Sequence, residues 1–293
     1  MLVRRRGQGV SLMEVCGTHT VAIRRGGLRA ALPAGPRLIS GPGCPVCVTP
    51  GREVEKAIRL ACEPGVLLFC FPDMLRVPGA CGSLETARAT RGARVRTIYS
   101  PIEALEFAAG EPGRKAVIFG VGFETTIPIF ASVLRRARER GIRNLFLLPA
   151  FKLLPPGLAA LLSRPGIGVD GLILPGNVTA VIGADAYRFI AARHRLPGVV
   201  AGFEPSDILR SVLMLLEMIA DGEPRILNEY TRFSDDRGNA AALAAVREVF
   251  APRDSVWRGL GTVPGSGLGP VSYTHLRAHE TPEQLVCRLL LEK

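Results

Sequence analysis

Short apolar segments alternate with longer segments of helical periodicity along most of the chain. The apolar segments are typical of buried strands, and we predict strands at 37–40, 66–71, 94–99, 115–121, 144–149, 171–174 and 198–202. The helical patterns between and after them cover 51–62, 83–91, 101–109, 126–140, 155–163, 179–192 and 206–220. This alternation predicts an α/β fold of two similar lobes, in which mostly parallel sheets are flanked by helices.

Two pairs of similar segments indicate where the lobes divide. Residues 120–129 are similar to residues 200–209, and residues 38–46 are similar to residues 172–181. Each member combines an apolar strand, a turn that contains glycine and the start of a helix. The predicted domains are a lobe with the cysteine motifs at 12–110, a second lobe at 111–220 and a partial C-terminal domain at 221–270.

The end of the chain differs in character from the rest. Residues 271–293 begin Val-Ser-Tyr-Thr-His-Leu-Arg-Ala-His-Glu-Thr, which is similar to translated sequencing-adapter sequence. We expect this segment to be a non-native tail that replaces the native C-terminus. For that reason His275, His279 and Cys287 are left out of the functional interpretation.

Composition argues against several classes of protein. No apolar segment reaches the roughly 18 residues that a membrane span requires, and no signal peptide is expected after the basic N-terminus. The net charge of +11 is spread along the chain, and the few aromatic residues are not interleaved with arginine, so nucleic-acid binding is not expected. We expect a cytoplasmic protein, in which the seven cysteines would be thiols, metal ligands or a catalytic disulfide.

Cys44 and Cys47 form a Cys-x-x-Cys pair in a segment rich in glycine and proline, Gly-Pro-Gly-Cys-Pro-Val-Cys. The pair follows a predicted strand and precedes a helix that we expect to begin near Thr49 and Pro50. Such a pair suits a reversible disulfide or a labile metal site, because a nearby helix N-terminus favours the thiolate. Half of a structural zinc site is the alternative, although no second Cys-x-x-Cys lies at the spacing of a zinc ribbon.

Cys16 and His19 form a second candidate group in Cys-Gly-Thr-His. A Cys-x-x-His segment can present both side chains to one metal ion, or the imidazole can hold the cysteine as a thiolate. A purely structural histidine is the alternative. The small residues beside them, Gly17 and Thr18, would allow a ligand to approach closely.

Two further cysteines are given a structural interpretation. Cys62 and Cys70 lie beside or within the apolar segment Gly-Val-Leu-Leu-Phe-Cys-Phe. Free cysteine often packs as a small hydrophobic residue, and we predict that both are buried in this way.

Two carboxylates follow predicted strands, where ligand sites of parallel sheets form. Asp73, in Phe-Pro-Asp-Met-Leu-Arg, either contributes to the site or forms an ion pair with Arg76. Glu124, in Gly-Phe-Glu-Thr-Thr, is either a site residue or a helix N-terminal residue that interacts with the helix dipole. The similar position of Glu204 favours the structural role for at least one of the two glutamates.

Five motifs occur in the same order as in the HypD family of hydrogenase maturation proteins, which this chain resembles from about residue 12 to Gly267. The motifs are Glu14-Val-Cys-Gly-Thr-His-Thr20, Gly41-Pro-Gly-Cys-Pro-Val-Cys47, Arg76-Val-Pro-Gly79, Gly122-Phe-Glu-Thr-Thr126 and Ala201-Gly-Phe-Glu-Pro205. Trp257-Arg-Gly-Leu-Gly261 extends the resemblance.

The resemblance implies an assembly scaffold rather than a conventional turnover enzyme. Family members and the small protein HypC hold the Fe(CN)2CO group of [NiFe]-hydrogenases during its assembly. Cyanide arrives through HypE, and the hydrogenase large subunit receives the finished group. By this resemblance Cys16 would be an iron ligand, His19 a second candidate ligand, and Cys44 and Cys47 the redox-active pair. The residues expected around them are Thr18, Asp73, Arg76 and Glu124.

Three features differ from the family pattern. Family members hold a [4Fe-4S] cluster on C-terminal cysteines, and those ligands are not found in this sequence. Asn177 stands where the family usually has the histidine of Pro-Gly-His-Val, and Phe151 stands where a histidine usually precedes the Leu-Pro segment. The alternative functions are a stand-alone thiol–disulfide oxidoreductase that uses Cys44 and Cys47, and a zinc-binding interaction module.

Overall fold

A computed structural model describes residues 9–32 and 35–271 of the protein. The strands, in chain order, are β1 (Ser11–Glu14), β2 (Arg37–Ser40), β3 (Val66–Cys70), β4 (Val95–Thr97), β5 (Lys115–Gly120), β6 (Leu145–Pro149), β7 (Gly171–Pro175), β8 (Gly198–Ala201), β9 (Ile226–Asn228), β10 (Phe250–Trp257) and β11 (Gly261–Pro270). The helices are α1 (Gly17–Arg25), α2 (Leu28–Ala31), α3 (Pro45–Val48), α4 (Gly51–Cys62), α5 (Leu84–Thr90), α6 (Ile102–Gly110), α7 (Ile127–Glu139), α8 (Leu154–Leu162), α9 (Gly176–Ile182), α10 (Arg188–His194), α11 (Pro205–Asp221) and α12 (Ala240–Val249).

Contacts divide the chain into two compact units, and each unit combines segments that are distant in sequence. Unit 1 contains the described residues up to Cys44 together with Leu154–Leu243. Unit 2 contains Pro45–Leu153 together with the described residues from Ala244 onward. The domain ranges predicted from the sequence followed chain order, whereas the chain leaves unit 1 after Cys44 and returns to it at Leu154.

Unit 1 is built on a parallel sheet in the order β2-β1-β7-β8-β9. Strand β1 lies between β2 and β7, so both of its neighbours hydrogen-bond to it. The strands are short and apolar, and both faces of the sheet are covered by helices, as parallel sheets require. The core on the side of α1 and α11 consists of fully or almost fully buried side chains: Leu12, Ile23, Leu28, Leu38, Ile173, Val199, Ala201, Ile208, Val212, Leu215, Leu216 and Met218.

Unit 2 contains a second parallel sheet, in the order β4-β3-β5-β6, and an antiparallel hairpin formed by β10 and β11. The sheet is packed between two apolar cores. Phe151 links the hairpin to one of them, because its ring lies 4.9 Å from Phe130 and 5.6 Å from Phe250 between ring centres. The predicted α/β fold with parallel sheets flanked by helices is therefore confirmed.

Some predicted elements differ from those observed. Residues 259–270, in which no strand was predicted, include strand β11. The single helix predicted at 179–192 is interrupted by Gly183, whose φ of 79° lies in a region that favours glycine, and is divided into α9 and α10. Strand β1 and helix α1 were not predicted, although the Cys-Gly-Thr-His motif begins where β1 ends.

Two further predictions concerned the C-terminal tail and membrane-spanning segments. All of the predicted tail beyond Val271 lies outside the described residues. Among residues 9–32 and 35–271, no helix is both long and apolar enough to cross a bilayer.

Candidate functional site

Cys16 lies between β1 and α1, as the N-cap residue of α1, with an extended backbone, and only 8% of it is exposed. Gly43 packs directly against it. The N–H of Gly17 donates to the carbonyl of Gly43 (3.1 Å), and a Cβ on Gly43 would overlap the backbone of Val15 and Cys16. A Cβ on Gly17 would lie 3.7 Å from the Cβ of Cys44. The carboxyl ends of β1 and β2 thus bring the Cys16 and Cys44 segments into contact.

His19 is completely buried on α1. Its Nε2 lies 2.9 Å from the carbonyl oxygen of Gly202, and a carbonyl can only accept, so Nε2 carries the proton. Burial lowers the pKa of His19 to about 4, which leaves the ring neutral near pH 7. Nδ1 is buried and has no hydrogen-bond partner among the described residues. It is therefore a lone pair that can accept a hydrogen bond or bind a metal ion. Thr18, the residue before it, is exposed.

Glu14 is a buried carboxylate beside Cys16 that sequence interpretation did not single out. It ends β1 and is 1% exposed. Its Oε1 accepts hydrogen bonds from the hydroxyls of Ser40 (2.6 Å) and Thr20 (3.2 Å). Its Oε2 has no hydrogen-bond partner in the described part of the chain. Glu14 thus ties the ends of β1 and β2 to the first turn of α1. Its place in the Glu-Val-Cys-Gly-Thr-His-Thr motif, two residues before Cys16, was the signal that could have found it.

Cys44 and Cys47 stand on either side of the start of a short helix. Helix α3 begins one residue after Cys44 and has only four residues, and the long helix α4 begins at Gly51. The helix expected to begin near Thr49 and Pro50 is therefore preceded by a separate turn. Cys44 is half-buried and Cys47 is exposed. A reagent or a second thiol can reach Cys47, whereas the redox role of the pair stays a prediction.

Arg76 pairs with a residue other than Asp73. Its Nε lies 3.2 Å from Oε2 of Glu85, the second residue of α5. Asp73 lies in a 3₁₀ turn directly after β3 and is exposed. The ion pair with Arg76 that was considered for Asp73 is thus replaced by Arg76–Glu85. Asp73 stays a candidate site residue of unit 2.

Glu124 and Glu204 occupy similar motifs but different environments. Glu204 is the exposed N-cap residue of α11 and forms a capping box with Asp207, so the structural role is confirmed for Glu204. Glu124 is 6% exposed and lies before Thr126, the N-cap residue of α7. Because it precedes the first turn of that helix, the dipole does not explain its burial. Its functional role stays a prediction.

Arg258, in the Trp-Arg-Gly-Leu-Gly motif, holds the segment that follows Cys47. Its backbone N–H donates to the carbonyl of Val48 (2.8 Å), and its Nε donates to the carbonyl of Thr49 (3.0 Å). Its Nη2 donates to the carbonyl of Pro78 (3.3 Å), in the Arg-Val-Pro-Gly motif. Arg258 therefore connects its own motif to the Arg-Val-Pro-Gly motif and to the segment that follows Cys47, a role that only the tertiary structure shows.

Lys152 is a buried lysine behind the Gly-Phe-Glu-Thr-Thr motif. It is 1% exposed, its N–H donates to the carbonyl of Gly122 (3.0 Å), and its Nζ donates to the hydroxyl of Ser255 on β10 (2.6 Å). Burial lowers the pKa of Lys152 to about 8. The contacts indicate that Lys152 fastens the hairpin to the end of β6.

Phe151 and Asn177, where the chain departs from the family pattern, have different surroundings. Phe151 is 1% exposed and belongs to an apolar core of unit 2. Asn177 is exposed at the start of α9. Its Oδ1 accepts a hydrogen bond from the N–H of Val178 (3.0 Å). Neither residue contributes a metal ligand of the usual imidazole type.

Among the described residues, the other cysteines do not form a cluster site. Cys70 is completely buried on β3, which raises its pKa to about 12 and confirms its structural interpretation. Cys62 is exposed at the end of α4, so the prediction that it is buried is wrong. In residues 9–32 and 35–271, no three His, Cys, Asp or Glu side chains converge as metal ligands. The described residues do not fit a [4Fe-4S] cluster, and the function proposed below does not use one.

Comparison with known proteins gives the family of the chain. The family model HypD, described as the hydrogenase formation hypA family, matches residues 2–283. The chain is 45% identical over 258 residues to the hydrogenase maturation factor HypD of Escherichia coli (strain K12), covering 88% of this chain and 69% of that protein. It is 44% identical over 277 residues to HypD of Rhodobacter capsulatus, covering 94% and 72%. The prediction made from five short motifs is confirmed, and the chain belongs to the HypD family of hydrogenase maturation factors.

Proposed function

We propose that this protein is a scaffold on which the Fe(CN)2CO group of a [NiFe]-hydrogenase is assembled, in cooperation with homologues of HypC and HypE. In this proposal the iron is the cargo. Cys16 is its protein ligand, His19 is a second candidate ligand, and Cys44 and Cys47 supply electrons as a dithiol. The proposal extends the family membership to the chemistry of the individual residues.

The observation that carries the proposal is the environment of Cys16. Cys16, a residue that is 8% exposed, lies beyond the carboxyl end of β1 and beside the end of β2, the usual place for a ligand site in parallel sheets. Close packing of Gly43 against its backbone fixes its position. Thiolates are soft ligands that suit iron bearing strong-field diatomic ligands.

His19 supports a metal site in unit 1 through its uncommitted nitrogen. A neutral imidazole whose Nε2–H is bound to a carbonyl presents Nδ1 as the coordinating atom, an arrangement that is usual for metal-binding histidines. Leaving a buried acceptor without a hydrogen bond costs about 1–3 kcal/mol. A ligand that fills Nδ1 would recover that cost.

The dithiol has a defined task in cyanide transfer. Release of cyanide from a protein-bound thiocyanate consumes two electrons and one proton, and leaves a thiol and a cyanide ion. Oxidation of Cys44 and Cys47 to a disulfide yields two electrons and two protons, so one dithiol balances one transfer with one proton to spare. Exposure of Cys47 allows the disulfide to be reduced again by an external thiol.

The test is anaerobic co-expression with HypC and HypE homologues, followed by infrared spectroscopy of the purified protein. We expect bands of iron-bound cyanide and carbon monoxide in the wild type, and their loss in Cys16→Ala. Cys62→Ala is the matched control, because Cys62 is an exposed cysteine in unit 2, and its spectrum should equal that of the wild type. Unchanged bands in Cys16→Ala would refute the assignment of Cys16.

The exposure of Cys47 also favours a second candidate function, that of a stand-alone thiol–disulfide oxidoreductase. This function predicts reduction of a generic disulfide substrate without any partner, at a rate that does not depend on Cys16. A rate lost in Cys47→Ser but retained in Cys16→Ala, together with absent infrared bands, would select it.

A further inference from the structure

The carbonyl group that binds His19 belongs to a glycine that has no room for a side chain. A Cβ on Gly202 would overlap Oδ2 of Asp207 and would lie 2.6 Å from Cδ2 of Tyr230. The peptide at Gly202 is therefore held between a carboxylate and an aromatic ring. Its carbonyl oxygen lies 2.9 Å from Nε2 of His19. Contacts that fix the position of Gly202 therefore also fix the acceptor of the imidazole N–H.

Asp207 is the centre of the contacts that hold Gly202. It is 6% exposed, and its Oδ2 accepts a hydrogen bond from the N–H of Glu204 (3.2 Å). Its Oδ1 accepts from Nη1 of Arg232 (3.0 Å), and Nη2 of the same guanidinium contacts Oδ2, so the pair is bidentate. Bidentate pairs fix orientation more firmly than single hydrogen bonds. The pair joins the start of α11 to the segment that follows β9.

Aromatic rings continue the same network to the imidazole. The guanidinium of Arg232 lies 4.6 Å from the centre of the Tyr230 ring. The rings of Tyr230 and Phe203 form a T-shaped pair, with 6.1 Å between their centres. Phe203 in turn stacks on His19, at 4.7 Å between centres and 30° between planes. The plane of the imidazole is thus set by Phe203, and its hydrogen bond by Gly202.

We infer that Asp207 and Arg232 are positioning residues for His19, which act through Gly202 and Phe203 to hold the imidazole as its Nε2–H tautomer and keep Nδ1 as the nitrogen offered to a ligand. The inference rests on the proposed function for the identity of that ligand, the iron cargo. The assignment of the proton to Nε2, and of Asp207 and Arg232 as the residues that enforce it, does not depend on a role in hydrogenase maturation.

A helix cap is the simpler role for Asp207, because it belongs to the capping box of α11. That role explains the hydrogen bond to Glu204 but not the bidentate contact with Arg232 or the packing against Gly202. The two roles predict different measurements. Loss of a cap lowers the melting temperature and leaves the tautomer unchanged, whereas loss of a positioning residue changes the tautomer.

The experiment is a two-bond ¹H–¹⁵N correlation spectrum of the full chain labelled with ¹⁵N-histidine, without metal or partners, at pH 7.5. His19→Gln identifies the His19 signals. We expect a single neutral tautomer with the proton on Nε2 in the wild type. Asp207→Asn and Arg232→Met are expected to lose this single-tautomer pattern, either by averaging between the two nitrogens or by a shift of the proton to Nδ1. Arg232→Lys keeps the charge without the bidentate geometry and is expected to lose the pattern as well.

The matched control is Arg188→Met, which removes the exposed ion pair between Arg188 and Asp185 in the same unit and should leave the His19 signals unchanged. The inference is overturned if wild-type His19 carries its proton on Nδ1, or if the variants lower the melting temperature while keeping the wild-type tautomer. A variant that does not fold leaves the wild-type spectrum and Arg232→Lys as the deciding measurements. Infrared bands from the maturation assay report separately on the proposed function.

Discussion

Ser40 donates a 2.6 Å hydrogen bond to the carboxylate of Glu14, across the ends of two neighbouring parallel strands. We expect Ser40→Ala to lower the free energy of unfolding by about 1–3 kcal/mol, because a buried carboxylate loses a donor. In a Glu14→Gln background the same change should cost less, since the charge is gone. Urea denaturation of the four proteins, arranged as a double-mutant cycle, measures the difference.

Ser163→Ala is the control for this cycle. Its hydroxyl is exposed and donates only to the carbonyl of Ala159, in the last turn of α8. We expect Ser163→Ala to change the free energy of unfolding by no more than about 0.5 kcal/mol. Equal costs for Ser40→Ala in the presence and absence of the Glu14 carboxylate would show that the two side chains are not coupled.

A second prediction concerns the close approach of Gly43 to the Cys16 segment. Gly43→Ala would force a methyl group into the backbone of Val15 and Cys16. We therefore expect the free energy of unfolding to fall by about 3 kcal/mol or more, or the variant not to fold. Gly17→Ala is the matched control, because its methyl group would make an ordinary 3.7 Å contact with the Cβ of Cys44. By thermal denaturation, the free energy of unfolding of Gly17→Ala should lie within about 1 kcal/mol of the wild-type value. Similar melting temperatures for the two variants would contradict the packing described here.

A third prediction follows from the contacts of Arg258. Arg258→Met removes the hydrogen bonds of its guanidinium to the carbonyls of Thr49 and Pro78, worth about 1.5 kcal/mol together. Hydrogen–deuterium exchange at the amides of residues 46–49 should accelerate roughly tenfold. Arg143→Met, at an exposed arginine of the same unit, should leave these amides unaffected. Unchanged exchange in Arg258→Met would mean that the backbone contact with Val48 is sufficient.

The fourth prediction is a pH dependence caused by Lys152. Its pKa is about 8 in the native protein and about 10.4 in an unfolded chain, so between these values the unfolded state binds more protons. Stability contributed by this site therefore rises with pH over that interval. We expect the wild type to gain roughly 3 kcal/mol relative to Lys152→Met between pH 8 and about pH 10.5, at about 1.4 kcal/mol per pH unit.

Denaturation in urea at three pH values measures this gain. Lys115→Met is the control, because Lys115 is exposed at the start of β5 and should show no such difference from the wild type. A constant difference between the wild type and Lys152→Met across the interval would show that the lysine is charged throughout.

The sheets could be predicted from the sequence wherever apolar strands were continuous. The strand predicted at 115–121 is β5, and the helix predicted at 126–140 is α7, because local periodicity and burial agree there. Strand β11 could not be predicted, since six of its ten residues are Gly or Pro, which have low strand propensity. It forms because β10 pairs with it on both sides of a register shift between Arg253 and Ser255, and tertiary pairing outweighs propensity.

Sequence motifs predicted residues of the candidate site but not the distant partners of its buried polar groups. Cys16, Cys44 and Cys47 stood out because their spacing is local. The partners of buried polar groups are not local: His19 meets Gly202 from 183 positions away, and Lys152 meets Ser255 from 103 positions away. Such contacts depend on strand order, which neither hydrophobic periodicity nor composition specifies.

Strand order also determines how long β1 waits for its second neighbour during synthesis. The N–H of Ser11 on β1 bonds the side chain of Asp170, 159 residues later, and β7, the next neighbour of β1, begins only after that point. At a synthesis rate of about 5–20 residues per second, roughly ten to thirty seconds separate the emergence of the two strands. During that interval the thiol of Cys16 belongs to a nascent chain in which β1 has β2 but not β7 as a neighbour. Cellular oxidants and metal-trafficking proteins can therefore meet this cysteine before its burial is complete.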